Sequence, residues 1–176
     1  MDEAQKLYWD TYFENFSTEK LLEQYSSPIR AYKDDLIEGV ILDIGCGQSA
    51  VLLDFFDSDR KIIAIDEEQF QLDYLKNRVE TLENANIENW TFKQMKFQDN
   101  DLPNEEYALV ILSNFLHFFT LDKCNNLVIK ISELCKEGTL IYVIVHSTKF
   151  YRNDPSNPKN NDCLLYTSNS FCKIPE

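Results

Sequence analysis

Five short apolar runs are spaced along this chain, and the stretches between them carry a different rhythm. The runs are Val40-Ile41-Leu42-Asp43-Ile44, Ile62-Ile63-Ala64-Ile65, Trp90-Thr91-Phe92, Tyr107-Ala108-Leu109-Val110-Ile111-Leu112 and Leu140-Ile141-Tyr142-Val143-Ile144-Val145. Most lack polar alternation, so they read as strands buried on both faces, the habit of a parallel sheet. Between them apolar residues recur every three or four positions, as on one face of a helix. One such face is Val51, Leu52, Phe55 and Phe56; a second is Leu72, Leu75, Val79 and Leu82. The third and strongest is Leu121, Cys124, Leu127, Val128, Ile131, Leu134 and Cys135, with Gly138 expected to close it.

Ahead of the first run the periodicity is helical and aromatic. Leu7, Tyr8, Trp9, Tyr12, Phe13 and Phe16 suit one helix, and Leu21, Leu22 and Tyr25 a short second one. Ser27-Pro28 opens a third short helix through Ile29, Tyr32 and Leu36 that ends near Gly39. The stretch 153–161, Asn-Asp-Pro-Ser-Asn-Pro-Lys-Asn-Asn, reads as a polar loop. Three segments result: a helical extension or lid at 1–39, a core at 40–150 and a polar tail at 151–176. Strands alternating with helices predict an α/β fold, a mostly parallel Rossmann-like sheet with helices on both faces. Ligands of such sheets bind beyond the carboxyl ends of the strands.

Composition narrows the function classes. The net charge is −13, which repels phosphate backbones, so no nucleic-acid partner is expected. No apolar stretch has the length of a membrane span, and the start Met1-Asp2-Glu3 does not resemble a secretory leader. The five cysteines are odd in number and form no C-x-x-C pair, so neither a metal site nor a disulfide framework is indicated. Reduced thiols and a cytoplasmic location are the expectation. Oligomeric state is not legible.

Chemistry concentrates in Asp43-Ile44-Gly45-Cys46-Gly47-Gln48-Ser49-Ala50. Two of the chain's four glycines fall in this one strand-to-helix turn. Glycine there lets a ligand approach the backbone, and an acid, Asp66, ends the next strand. A plain tight turn, with Asp66 as a helix cap, is the alternative. The string also fits the dinucleotide pattern G-x-G-x-x-A, which keeps an NAD-dependent reductase open, although no Tyr-x-x-x-Lys pair is present. Asp43 tips the balance, because a carboxylate beside the turn suits the ammonium of a methionine moiety and offers a pyrophosphate nothing.

These residues resemble motif I of the class I methyltransferases that use S-adenosylmethionine (SAM), whose pattern is acid-x-G-x-G-x-G. Residues 62–66 resemble the family's second strand and ribose-binding acid. Residues 107–119 resemble its fourth strand and following loop, and residues 136–145 its fifth strand. Small bacterial members of the methyltransferase 11/12/25 and tellurite-resistance TehB-like groups are similar. The resemblance implies SAM as cofactor and methyl transfer by SN2 to a small-molecule acceptor. It implies a cofactor site drawn from Asp43, Gly45, Cys46, Gly47, Asp66, Glu67, Gln98, Asp99 and Asn114, with Tyr12 reaching in from the first helix. His117 and His146, both at the ligand end, are candidate bases, or else ordinary packed or surface histidines.

Three positions depart from the pattern: Ser49 replaces the third glycine, Lys96 competes with Gln98 or Asp99 for the acid after strand three, and Ala108 replaces the acid that begins strand four. The segment after Val145 is short for the family's closing helix and hairpin, with residues 163–167 expected as a single edge strand. These departures keep a second reading open, a non-catalytic SAM-binding or partner protein.

Overall fold

The computed structural model describes residues 27–97, 101–145 and 170–173, together with Leu7. Six strands form one sheet: β1 (Val40–Ile44), β2 (Ile62–Asp66), β3 (Trp90–Gln94), β4 (Tyr107–Ser113), β5 (Leu140–Ile144) and β6 (Ser170–Lys173). Their order is β3-β2-β1-β4-β5-β6. β1 to β5 run parallel, and β6 joins β5 antiparallel. The chain steps outward from β1 through β2 to β3, then crosses back to lay β4 on the other side of β1. That reversal opens a crevice above the carboxyl ends of β1 and β4.

The apolar runs are strands because both faces of the sheet are covered. Ile41, Ala64, Leu109 and Ile111 share one cluster with Phe55 and with Leu72, Leu75 and Val79 of α1 (Gln69–Glu80). Leu42, Ile44, Ile63, Ile65, Val110 and Leu112 share the other with Cys124, Leu127 and Ile131 of α2 (Leu121–Leu134). Alternate residues of β1, β2, β4 and β5 thus feed opposite cores, which explains runs without polar alternation, whereas β3 exposes Thr91 and Lys93. No described helix is long and apolar enough to cross a membrane.

Several expectations change. The helix expected over residues 51–56 is a single 3₁₀ turn, Leu52–Phe55. Asp57-Ser58-Asp59 follow it, and Ser58 Oγ accepts the Arg60 N–H at 3.1 Å, a local bond that competes with helix extension. Leu121 and Val128 of α2 are exposed rather than buried. Gly138 does not cap α2, whose cap is Cys135 in extended conformation; it lies in the turn to β5. Residues 28–35 form a 3₁₀ helix, Pro28–Asp35, whose Ile29, together with Leu36 just beyond it, belongs to the core cluster, so this part of the N-terminal segment is a core element. Arg60 holds the linker that follows, donating to the carbonyls of Ile37 at 2.6 Å and Leu36 at 2.9 Å. The described edge strand is residues 170–173; residues 163–167, the polar loop at 153–161 and the helices expected over 8–25 lie outside the described residues.

Candidate binding site at the switch point

The turn after β1 is fastened to β2 by its own backbone. Gly45 and Cys46 both donate to the carbonyl of Ile65, at 2.8 and 2.9 Å, and Ser49 donates its N–H back to Cys46 at 2.9 Å. Gly45 (φ +69°) and Gly47 (φ +51°) both take the left-handed conformation that side chains resist. Their surroundings differ. A Cβ on Gly45 would fall in the ring of Phe115, whereas a Cβ on Gly47 would meet nothing within 4 Å. Gly45 is therefore glycine because an aromatic ring rests on it, and Gly47 faces open space.

Asp66 stands at the end of β2 with both oxygens anchored. Oδ2 accepts the Gly47 N–H at 2.8 Å and Oδ1 the Glu68 N–H at 2.9 Å. Each oxygen keeps a lone pair for a further donor. The cap position of α1 belongs to Glu68, not Asp66. Burial pushes the Asp66 carboxyl up, and the Glu68 and Gly47 N–H groups oppose that. Glu67 is exposed, its carbonyl accepting from Gln94 Nε2 at 3.0 Å.

Asp43, within β1, is wholly buried. Its Oδ2 accepts the Ser49 hydroxyl at 2.6 Å, while Oδ1 has no hydrogen-bond partner. Burial lifts this carboxyl to about 7; the Ser49 hydrogen bond works against the rise and the nearby Asp66 adds to it. Cys46 is buried beside both acids, and its thiol is pushed well up by burial first and then by Asp43 and Asp66. It is a protonated packing group rather than a nucleophile.

The other wall follows β4. Asn114 takes a left-handed φ of +53° and donates its N–H to Ile144 at 2.8 Å, which turns the chain over the end of β5. Beyond it, Phe115 and Phe119 meet each other and Phe97 edge to face, with ring centroids 4.8 to 5.1 Å apart. This triad holds the Phe115 ring against Gly45. His117 occupies the 3₁₀ turn Leu116–Phe118, half-buried, its ring 4.2 Å from that of Phe118.

Of the expected site residues, the structure gathers Asp43, Gly45, Cys46, Gly47 and Asp66 around one turn and sets Asn114 at the end of β4. Gln98, Asp99, Tyr12 and His146 lie outside the described residues. Lys96 is exposed just past β3. The departure at Ala108 falls near the amino end of β4, beside the Val40–Tyr107 pairing and away from the crevice. Sequence reading missed two residues. Ser49 counted only as a lost glycine, although a hydroxyl six positions after a buried acid was a usable signal. Phe115 had no signal, because its contact with Gly45 joins separate elements.

The methyltransferase domain family matches residues 41–138, more than half of the chain. No curated protein matches. Among solved structures, TehB from Haemophilus influenzae is similar at a TM-score of 0.56 and 14% identity, over 70% of this chain and 43% of that one. The glycopeptide N-methyltransferase MtfA complexed with SAM is similar at 0.54 and 14% identity, over 71% and 48%. Human N-acetylserotonin methyltransferase in complex with SAM is similar at 0.50 and 23% identity, over 72% and 36%. The chain spans less than half the length of each. Identities this low establish the fold, and the family match goes further: this chain belongs to the methyltransferase domain family.

Proposed function

We propose that this domain binds SAM in the crevice above β1 and β4 and transfers its methyl group to a small-molecule acceptor. The observation that carries the reading is Asp43 Oδ1, a buried carboxyl oxygen without a hydrogen-bond partner, near the end of the strand that leads into the open Gly47 turn. An orphaned buried acceptor costs about 1–3 kcal/mol, so it calls for a donor. An ammonium supplies one; a pyrophosphate does not. The residues therefore fit the cofactor.

In this reading Asp43 takes the ammonium of the methionine moiety and Asp66 uses its spare lone pairs for the ribose hydroxyls. Glu67 flanks the adenine, and the Gly47 face admits the ligand to the backbone. The bound cofactor supplies a methyl group already activated by the sulfonium charge. The protein's share is to align an acceptor in line with it and exclude water. His117, in the loop after β4, takes the acceptor's proton. His117→Ala should then lower kcat by about a hundredfold or more while leaving cofactor affinity intact.

The structural relatives include enzymes named for a glycopeptide and for N-acetylserotonin, which supports a small acceptor. The acidic surface favours a neutral or cationic one. The reading carries a cytoplasmic location with it, where thiols such as those of Cys46 and Cys135 stay reduced. Calorimetric titration with SAM, S-adenosylhomocysteine and NAD tests the reading. Micromolar binding of the first two is expected; preference for NAD, or no binding by folded protein, would overturn it.

A further inference from the structure

We propose that Ser49 is a positioning residue for the cofactor's ammonium, holding Asp43 by Oδ2 so that Oδ1 faces the ligand. The inference rests on the SAM reading and extends it to a residue that departs from the motif's third glycine.

The geometry carries it. Ser49 Oγ donates to Asp43 Oδ2 at 2.6 Å, a short bond that is charge-assisted once the carboxyl ionises, and accepts the Leu52 N–H at 3.1 Å. The hydroxyl is thus oriented from both sides: its acceptor capacity serves the 3₁₀ turn and its single proton serves the carboxylate. A carboxylate gripped at one oxygen cannot rotate freely, so the other oxygen stays where a donor must come to it. A glycine at position 49 would leave Asp43 ungripped inside the core, with both oxygens short of partners.

The hydroxyl also governs when Asp43 is charged. The titratable groups near this carboxylate are Asp66, at the end of β2, which disfavours a negative charge there, and Cys46 in its own turn, whose thiol stays protonated. Its register partners, Ala64 on β2 and Ile111 on β4, are apolar. Ser49 is the hydrogen-bond donor among the described residues that favours the ionised form. Removing it must move the ionisation of Asp43, and with it the capture of an ammonium, to higher pH.

Calorimetry with the full chain tests this, using S-adenosylhomocysteine, which keeps the ammonium, and 5′-methylthioadenosine, which lacks the amino-acid part. Ser49→Gly and Ser49→Ala should weaken S-adenosylhomocysteine about tenfold near pH 7. They should also move the midpoint of its pH profile upward and leave 5′-methylthioadenosine unchanged. Ser49→Thr should restore the wild-type profile. Parallel weakening of both ligands, or an unmoved pH profile, would overturn the role of Ser49 alone. Wild-type protein that binds neither ligand would overturn the cofactor reading and this inference with it.

Discussion

The ring of Phe115 occupies the space that a side chain on Gly45 would need. The two residues come from the ends of β1 and β4, the adjacent strands between which the sheet order reverses. Their contact ties the glycine turn to the opposite wall of the crevice. Gly45 is thus a packing requirement before it is a ligand requirement.

Substitution at Gly45 should reveal that coupling. Gly45→Ala combines a left-handed backbone with a collision against Phe115 and should destabilise by roughly 2–4 kcal/mol. Phe115→Ala frees the space, so the double variant should be less damaged than the two single losses predict, with a coupling of about 0.5–3 kcal/mol. Denaturant unfolding of the four proteins measures it. Strict additivity would mean that the ring moves aside without cost.

Gly47 should behave differently. Its neighbourhood is open, so Gly47→Ala pays only for its positive φ, about 1–2 kcal/mol of stability. The new methyl group enters the space assigned to the cofactor, and SAM affinity should fall by more than stability does. Thermal melts paired with calorimetry separate the two. A folded variant with normal affinity would place the ligand elsewhere.

Asp43 sets a pH dependence. Its carboxyl is raised in the folded state to about 7, so the native protein holds this proton where the unfolded chain has released it. The contribution of Asp43 to stability is therefore most favourable below about pH 4 and declines as pH rises towards 7. Asp43→Asn removes the titration. Relative to wild type it should gain stability across that window, by an amount on the order of a few kcal/mol. Urea unfolding of both proteins from pH 4 to 8 checks the sign; a constant difference would mean that Asp43 titrates as in the unfolded chain. SAM affinity of the wild type should rise through the same range, because the ammonium needs the ionised form.

Asp66 contributes to both fold and ligand. Asp66→Ala strips acceptors from the Gly47 and Glu68 N–H groups and from the ribose, and should weaken SAM by about 1–3 kcal/mol. Binding isotherms at a temperature where the variant is fully folded decide it. Unchanged affinity would remove Asp66 from the site and leave it as a fastener of the turn.

Much of this protein is legible in one dimension. A strand buried on both faces is apolar at nearly every position, so β2, β4 and β5 stand out as apolar runs and β1 as a run broken only by Asp43, and the glycines and acids towards their ends mark the ligand side of the sheet. The same local logic places Leu72, Leu75 and Val79 on the buried face of α1 and Cys124, Leu127 and Ile131 on that of α2. It fails where competition is settled by geometry: residues 51–56 have a helical rhythm but close as one 3₁₀ turn, and Val128 fits the stripe of α2 but points to solvent. The two facts that matter most to the site arise only when distant groups are brought together. Whether Gly45 serves a ring or a ligand depends on Phe115, seventy residues away. Whether Ser49 is a lost glycine or a hydrogen-bond donor depends on the burial of Asp43, which removes the water that would otherwise satisfy both oxygens. Pattern records which residues must leave water; packing decides what each of them meets when it does.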